Sequence, residues 1–221
     1  AYDNVFMVNG VYITENLFGD FDNLFIEDAI AETQVLTSGV SAEYGRFSGG
    51  VINAITKSGG NNFTGSVRAD LTKADWREET PYEKDRGIER EGDLNKIYQA
   101  TLGGPVLRDK LWFFLAGQQE ETDNPLVLAV TGIPFNTVQK NDRWQAQLSG
   151  AINASHSVQA SYTDNSTDQL NVRSSSRVID EAGLIDRNFP NVGWSVAYNG
   201  VLTNSLFGEV RYSEKEFGFR N

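Results

Sequence analysis

The residue types that usually carry enzyme chemistry are sparse in this chain of 221 residues. The single histidine, His156, lies in a predicted tight turn and has no serine or cysteine nucleophile motif around it. A hydrolytic triad needs a nucleophile within reach of its base, so nothing near His156 predicts that chemistry. The absence of cysteine also excludes disulfides, thiolate metal ligands and cysteine nucleophiles. We therefore interpret the chain as not being an enzyme.

Two other patterns have the composition of ligand sites but lack the required spacing. Residues 45–50 are rich in glycine, yet they contain neither the lysine of a phosphate-binding loop nor a G-x-G-x-x-G dinucleotide pattern. Asp20 and Asp22 resemble the start of a calcium loop, but Leu24 occupies the next ligand position. The sequence therefore predicts no metal site and no cofactor.

Opposite charges stand beside a group of glycines in the same region. Glu43 and Arg46 flank Gly45, and Gly49 and Gly50 follow closely. Glycine permits backbone turns and close packing that any side chain would obstruct. Opposite charges at such a place suit a polar contact that can be released, whereas an apolar contact would stick. The alternative is that both are ordinary solvated turn residues, whose ion pairs contribute little.

Composition limits the partners of the chain. Aspartate and glutamate total 30 against 19 lysines and arginines, which gives a net charge of -11. A general attraction to nucleic-acid phosphate or to anionic lipid is therefore not expected. No apolar run approaches the roughly 18 residues of a membrane-spanning helix, so a membrane protein of this composition must be a β-barrel.

From residue 63 onward, polar and apolar residues alternate with period two, which is typical of strands with one wet and one dry face. Arg68 and Asp70, for example, share one face of the first run, and Val67 and Ala69 share the other. Seven runs are predicted, at residues 63–71, 97–104, 111–116, 143–152, 158–163, 194–202 and 206–212. The third run is apolar on both faces, so the sequence does not assign its faces.

The connections between these runs alternate between long and short. Long polar segments at 72–96, 121–142 and 164–192 alternate with tight turns at 107–110, 154–156 and 203–205. An outer-membrane barrel has this asymmetry, with short periplasmic turns and long extracellular loops. Aromatic residues also fall near the long-loop ends, where an interfacial girdle would lie: Tyr98, Trp144, Tyr162 and Trp194. The alternative is a soluble β-sandwich with these aromatics in its core.

The sequence therefore predicts one antiparallel meander of seven strands, paired in sequence order. Residues 1–60 instead predict a small α+β unit, with a hairpin around Asn9-Gly10, a helical segment at 26–32 and a strand at 33–37. The polar faces of the meander need a wet or hydrogen-bonding neighbour. We therefore expect residues 1–57 to lie against the faces that bear Arg68, Gln99, Gln145 and Arg211.

The string YGRFSGGVINAITK at residues 44–57 resembles the end of the plug domain of TonB-dependent outer-membrane receptors, in the Oar-like branch. The Asn9-Gly10 turn and the segment 26–36 are similar to the second half of such a plug. The resemblance implies a fragment, with residues 1–60 as the end of the plug and residues 61–221 as the first strands of the barrel. These barrels have about 22 strands, so about 15 would lie outside this chain.

The resemblance also implies a function and a place in the cell. The chain would be part of an importer in the outer membrane, with its long loops extracellular and its dry strand faces against lipid. Its partners would be the TonB energising complex, an unknown extracellular substrate and the remainder of the same barrel. Arg46 and Glu43 would form a latch between plug and barrel. The alternative is a structural or adhesive surface barrel that imports nothing.

Overall fold

The computed structural model describes residues 4–13, 26–41, 44–45, 48–73, 76–78, 80–86, 94–175 and 177–220. This part of the chain is mainly β and forms two sheets. The twelve strands are β1 (Val5–Val8), β2 (Val11–Tyr12), β3 (Ile30–Leu36), β4 (Val51–Thr56), β5 (Thr64–Thr72), β6 (Asn95–Leu107), β7 (Leu111–Val127), β8 (Pro134–Asn153), β9 (His156–Arg173), β10 (Leu184–Phe189), β11 (Asn191–Thr203) and β12 (Leu206–Phe217). One α-helix, α1 (Pro81–Arg86), lies between β5 and β6. None of the described helices is long and apolar enough to cross a membrane.

The first sheet contains four strands in the order β2-β1-β4-β3. The predicted hairpin is confirmed: Asn9 and Gly10 join β1 to β2 with φ of 51° and 75°, as a tight hairpin turn requires. The helical segment predicted at 26–32 is wrong in length, since a 3₁₀ turn at Glu27–Ala29 passes directly into β3. Antiparallel pairing of β3 with β4 begins at Ile30 and overrides the local helical pattern.

Asparagine side chains hold the parallel pair of β1 and β4 together at both ends. The Gly50 amide donates to Asn4 Oδ1 over 2.9 Å at the beginning of the pair. At the other end, the Thr56 amide donates to Asn9 Oδ1 over 2.9 Å, and Asn9 Nδ2 donates to Thr56 Oγ1 over 2.8 Å. These bonds satisfy backbone groups that a pair of only four residues would otherwise leave unpaired.

The second sheet has the strand order β12-β11-β9-β8-β7-β6-β5. Every neighbouring pair on this path is antiparallel, so the predicted meander of seven strands is confirmed. Short turns link β6 to β7, β8 to β9 and β11 to β12, at one end of the sheet. An eighth strand, β10, pairs with β9 outside the path and was not predicted.

Two of the long connections contain much more strand than the alternation indicated. The segment 121–142 is mostly strand, because β7 and β8 remain paired as far as Val127 and Pro134. In the segment 164–192, β9 continues to Arg173 and β10 returns beside it. A strand needs about 9–11 residues to cross a bilayer, and β7, β8 and β9 have 17, 20 and 18. The surplus residues show no regular alternation of apolar side chains, so the sequence pattern does not predict them as strands.

A buried apolar cluster joins these two long connections. Leu128 is fully buried and packs with Phe135, Val178 and Leu184. The Thr131 hydroxyl donates to the Ile179 carbonyl across the same gap, over 3.1 Å. The tip of the β7–β8 hairpin is therefore attached to the segment between β9 and β10 and forms one packed unit with it.

The Leu128→Ala variant should loosen this unit without disturbing the rest of the sheet. Removing a buried leucine costs about 2–5 kcal/mol of packing, which here acts on two surface segments only. We expect faster hydrogen exchange and faster proteolysis in residues 126–135 and 177–185. The control is Val130→Ala in the same connection, since Val130 is 63% exposed. Equal rates of hydrogen exchange and proteolysis in the two variants would show that Leu128 does not hold these two segments together.

Candidate functional site: the interface between the two sheets

The predicted latch residues are not part of the described chain. Glu43 and Arg46 both lie outside the described residues, so their pairing stays a prediction. Gly50 is closely packed, because a β-carbon there would lie 3.0 Å from the Leu36 carbonyl oxygen. At Gly45, a β-carbon would meet no atom of the described residues within 4 Å. Gly49 lies between these two positions, in a bend of the chain.

A small apolar contact joins the first sheet to β7. Ile26 and Ala29, on either side of the start of the 3₁₀ turn, are buried against Phe114 and Ala116. Leu115, between the last two, is 45% exposed on the opposite face. The structure thereby assigns the faces of this strand, which the sequence left open: Phe114 and Ala116 face the first sheet.

Arg68 on β5 is the centre of an ionic contact between the sheets. Its guanidinium lies 3.1 Å from the Glu27 carboxylate and 3.2 Å from the Asp28 carboxylate, both of which belong to the 3₁₀ turn. On its own sheet it lies 3.0 Å from the Asp70 carboxylate and donates to Gln99 Oε1 over 2.9 Å. The Arg68 side chain is 36% exposed, so these charges remain in contact with water.

Further polar contacts, which are not ion pairs, extend the interface to β8 and β12. Thr56 Oγ1, at the end of β4, donates to Gln147 Oε1 on β8 over 2.9 Å. The Gly10 α-carbon lies so close to the Arg211 guanidinium of β12 that a β-carbon would collide with it. Lys215 Nζ donates to the Ile13 carbonyl over 3.5 Å. Strands from one edge of the second sheet to the other thus contact the first sheet through hydrogen bonds.

A second arginine, Arg143 on β8, is paired with residues of its own sheet. This second sheet, β5–β12, is called the wall below. Its Nη1 donates to Gln118 Oε1 over 2.8 Å, and its Nη2 lies 3.8 Å from the Glu120 carboxylate. Glu120 also accepts from Asn141 Nδ2 over 3.1 Å. The Arg143 side chain is only 13% exposed, so Glu120 balances a charge that has lost most of its water.

The chain passes from the first sheet to the second through a closely packed link at residues 57–63. A β-carbon on Gly59 would collide with the Phe113 carbonyl oxygen and would lie 2.9 Å from the Gly104 carbonyl oxygen. Two residues later, Asn61 Oδ1 accepts from the Asp109 amide over 2.9 Å and from Trp112 Nε1 over 2.8 Å. The link is therefore fastened to the turn between β6 and β7.

The opposite face of the second sheet is apolar and uncovered. The predicted girdle residues are 41% to 51% exposed there: Tyr98, Trp144, Tyr162 and Trp194. The first sheet instead contacts the face that carries Arg68, Gln147 and Arg211. The prediction that residues 1–57 lie against the polar faces is thus confirmed for their described part.

The single histidine contacts a tyrosine hydroxyl. His156 Nδ1 lies 2.6 Å from the Tyr198 hydroxyl, and no nucleophile motif accompanies this pair. Among the residues that the structure describes, no three carboxylate, histidine or cysteine side chains are placed to share a metal ion. Asp20 and Asp22 lie outside the described residues.

The ionic centre at Arg68 was missed by reasoning from the sequence. The sequence predicts Arg68 on the polar face of the first strand run, but it predicts Glu27 and Asp28 only as part of a helical segment. The sequence nevertheless contains a signal. Two adjacent acids, Glu27 and Asp28, come just before β3, and a single arginine, Arg68, lies on the polar face of β5. Only the fold brings residues 40 positions apart into contact.

No protein-family model matches the sequence. Over 116 residues, which are 51% of this chain and 11% of the relative, it is 36% identical to the TonB-dependent transporter Oar of Myxococcus xanthus. The siderophore receptor PirA from Acinetobacter baumannii has a similar structure, with a TM-score of 0.69 and 20% identity over 97% of this chain and 32% of PirA. The outer membrane transporter YddB from Escherichia coli gives a TM-score of 0.64 and 18% identity over 96% of this chain and 31% of YddB.

A mutant ferric enterobactin receptor from Pseudomonas aeruginosa, in complex with enterobactin, gives a TM-score of 0.69 and 16% identity over 98% of this chain and 33% of that receptor. The chain thus spans about a third of the length of these structures, and 11% of Oar. The resemblance predicted from residues 44–57 is confirmed: this chain is similar in sequence to a TonB-dependent transporter and carries part of the fold of TonB-dependent receptors.

Proposed function

We propose that this chain is the plug-to-barrel portion of a TonB-dependent outer-membrane transporter. Residues 1–60 form the end of the plug, and residues 61–221 form the first strands of the barrel wall. The observation that carries this proposal is the contact of Arg68 on β5 with Glu27 and Asp28 of the first sheet. A plug must seal the barrel at rest and leave its wall when a substrate is admitted.

The balance of forces at the interface suits that task. Exposed ion pairs contribute about 0.2–1 kcal/mol each, and Arg68 retains contact with water. Among the described residues, the buried apolar cluster that joins the two sheets contains four side chains, which are Ile26, Ala29, Phe114 and Ala116. Water can replace the remaining hydrogen bonds when the sheets separate. The interface therefore fixes how the two sheets pack, but little free energy is needed to separate them.

The two faces of the second sheet support a proposed placement in the membrane. The uncovered apolar face, with Trp144 and Trp194 at its aromatic level, would contact lipid. The packed unit around Leu128 and the long connections would then project from the cell, and the short turns would face the periplasm. Glu43 and Arg46 would add a second latch to the one formed by Arg68.

The proposal is tested by measuring uptake in cells that produce the full-length receptor, with and without TonB. We expect receptor-dependent uptake of the natural solute to disappear in the strain that lacks TonB, while the amount of inserted receptor stays unchanged. Uptake that persists without TonB would reject an energised transporter. A receptor that alters cell adhesion and supports no uptake would favour the structural or adhesive barrel.

A further inference from the structure

The side chains of β8 and β9 that face the first sheet are almost all neutral and polar. Alternate residues of β8 pair across the ladder with alternate residues of β9. The twelve side chains at these six rungs are Gln139 and Gln169, Asn141 and Thr167, Arg143 and Asn165, Gln145 and Thr163, Gln147 and Ser161, and Ser149 and Gln159. All except Arg143 are neutral amides or hydroxyls. The charge of Arg143 is balanced within the wall by Glu120.

Gln139, Asn141 and Gln147 donate to neighbouring side chains, whereas two buried amides of the row donate to none. Gln145 is 5% exposed and Asn165 is 9% exposed. Their amide nitrogens, Nε2 and Nδ2, are buried and make no hydrogen bond. They are diagonal neighbours, because Gln145 is on the rung next to that of Asn165. Buried donors in native proteins usually have a partner, so two adjacent free N–H₂ groups indicate a position for an external oxygen acceptor.

The same row of side chains leads to a cavity beside the plug. This cavity has a volume of about 570 Å³ and lies next to Gln147 and Gln159, toward the short turns. Asn53 and Thr56 of the first sheet line its other side. Its two charged lining residues, Glu209 and Arg211, are paired with each other at 3.3 Å. A path from these six rungs into the cavity would thus meet hydrogen-bonding groups and two balanced ion pairs, Arg143 with Glu120 and Arg211 with Glu209.

We propose, on the basis of the function proposed above, that the passage along β8 and β9 accepts a small neutral solute rich in hydroxyl or amide-carbonyl oxygens. Gln145 and Asn165 donate hydrogen bonds to those oxygens as the plug leaves the wall. Amides exchange one neutral partner for another at little cost, because both partners supply comparable hydrogen bonds. An anionic complex would need cations along this row, and the cation on the six rungs, Arg143, is already balanced by Glu120. Arg187 lies beside the outermost rung, on the neighbouring strand β10.

The test compares uptake of three probes by cells that lack general porins and produce the full-length receptor. The probes are maltotetraose, an acetylated and amidated tetra-alanine, and a negatively charged ferric catecholate complex. The test variant combines Gln145→Met with Asn165→Leu, which removes the free donors at nearly constant volume. The control is Gln119→Met, because Gln119 is exposed on the other face of β7. Receptor levels are matched by surface immunoblotting.

We expect wild-type receptor to import at least one neutral probe, and to import the anionic complex poorly. The double variant should lower that uptake about tenfold at limiting concentration, and the control variant should leave it unchanged. A preference for the saccharide indicates that the passage binds hydroxyl oxygens, and a preference for the peptide indicates that it binds amide-carbonyl oxygens. Import of only the anionic complex, import of no neutral probe, or wild-type uptake by the double variant would overturn the proposal. If uptake of a neutral probe depends on Gln145 and Asn165 but not on TonB, energised transport is rejected. The proposed role of these two amides in binding the solute is then still supported.

Discussion

The Arg68→Glu variant should leak small solutes through a receptor that still inserts and folds. The change replaces the cation that faces Glu27 and Asp28 with a third carboxylate, so two attractive pairs become repulsive. Loss of two partly exposed pairs costs about 0.4–2 kcal/mol, which raises the population of displaced plug roughly 2- to 30-fold. Repulsion adds to this effect. The measurement is swelling of proteoliposomes in a small neutral sugar.

The control for net charge is Arg108→Glu, because Arg108 is exposed in the turn between β6 and β7. It changes the total charge equally but leaves the contact with Glu27 and Asp28 intact. A double variant that adds Glu27→Arg to Arg68→Glu should recover part of the seal by reversing one pair. Equal permeability of the Arg68 and Arg108 variants, or no recovery in the double variant, would remove Arg68 from the latch.

The second large effect is expected at Gly59, where the link enters the wall. An alanine there needs room that the Phe113 and Gly104 carbonyl oxygens occupy, and backbone atoms cannot turn aside as a side chain can. Overpacking of this kind costs about 1–3 kcal/mol. We expect Gly59→Ala to lower the unfolding temperature of the full-length receptor, measured by the loss of its heat-modifiable gel mobility.

Gly60→Ala provides a matched control one residue away. A β-carbon on Gly60 would meet no described atom within 4 Å, so its effect should stay within about 0.5 kcal/mol. If the two variants unfold at the same temperature, the link is free to move at Gly59 and does not fasten the plug to the wall.

The sheet that forms the wall was predictable because one physical rule governs it. Alternation along β5, β6 and β11 reflects one exposed apolar face and one polar face, which is turned toward the first sheet. That rule fails where the side chains on both faces of a strand are apolar, or where both are polar. Phe114 and Leu115 are both apolar because one packs against Ile26 and the other points outward. The distal ends of β8 and β9 are mostly polar and show no regular alternation, so their sequence predicts loops.

The site was less predictable than the fold because its contacts are set by tertiary geometry. The string at residues 44–57 resembles the junction of a plug with a barrel and predicts a latch at Arg46. The contact at Arg68 depends instead on how β3 and β4 place a short turn against β5. No local pattern contains that distance. The polar row on β8 and β9 was visible as alternation, but its electrical neutrality became apparent only once Arg143 and Glu120 were seen together.

The parallel pairing of β1 with β4 has a mechanical consequence. β4 leads through the link at residues 57–63 into the wall, so its far end is anchored, whereas a pull transmitted through the chain ahead of β1 acts at the opposite end of the pair. The two forces then slide the strands past each other and load all their hydrogen bonds together, instead of peeling them one by one. The asparagine bonds at both ends share that load. Under tension, the β1–β4 pair should hold while the weaker contacts with the wall give way, so the small sheet would shift as a body before it unravels.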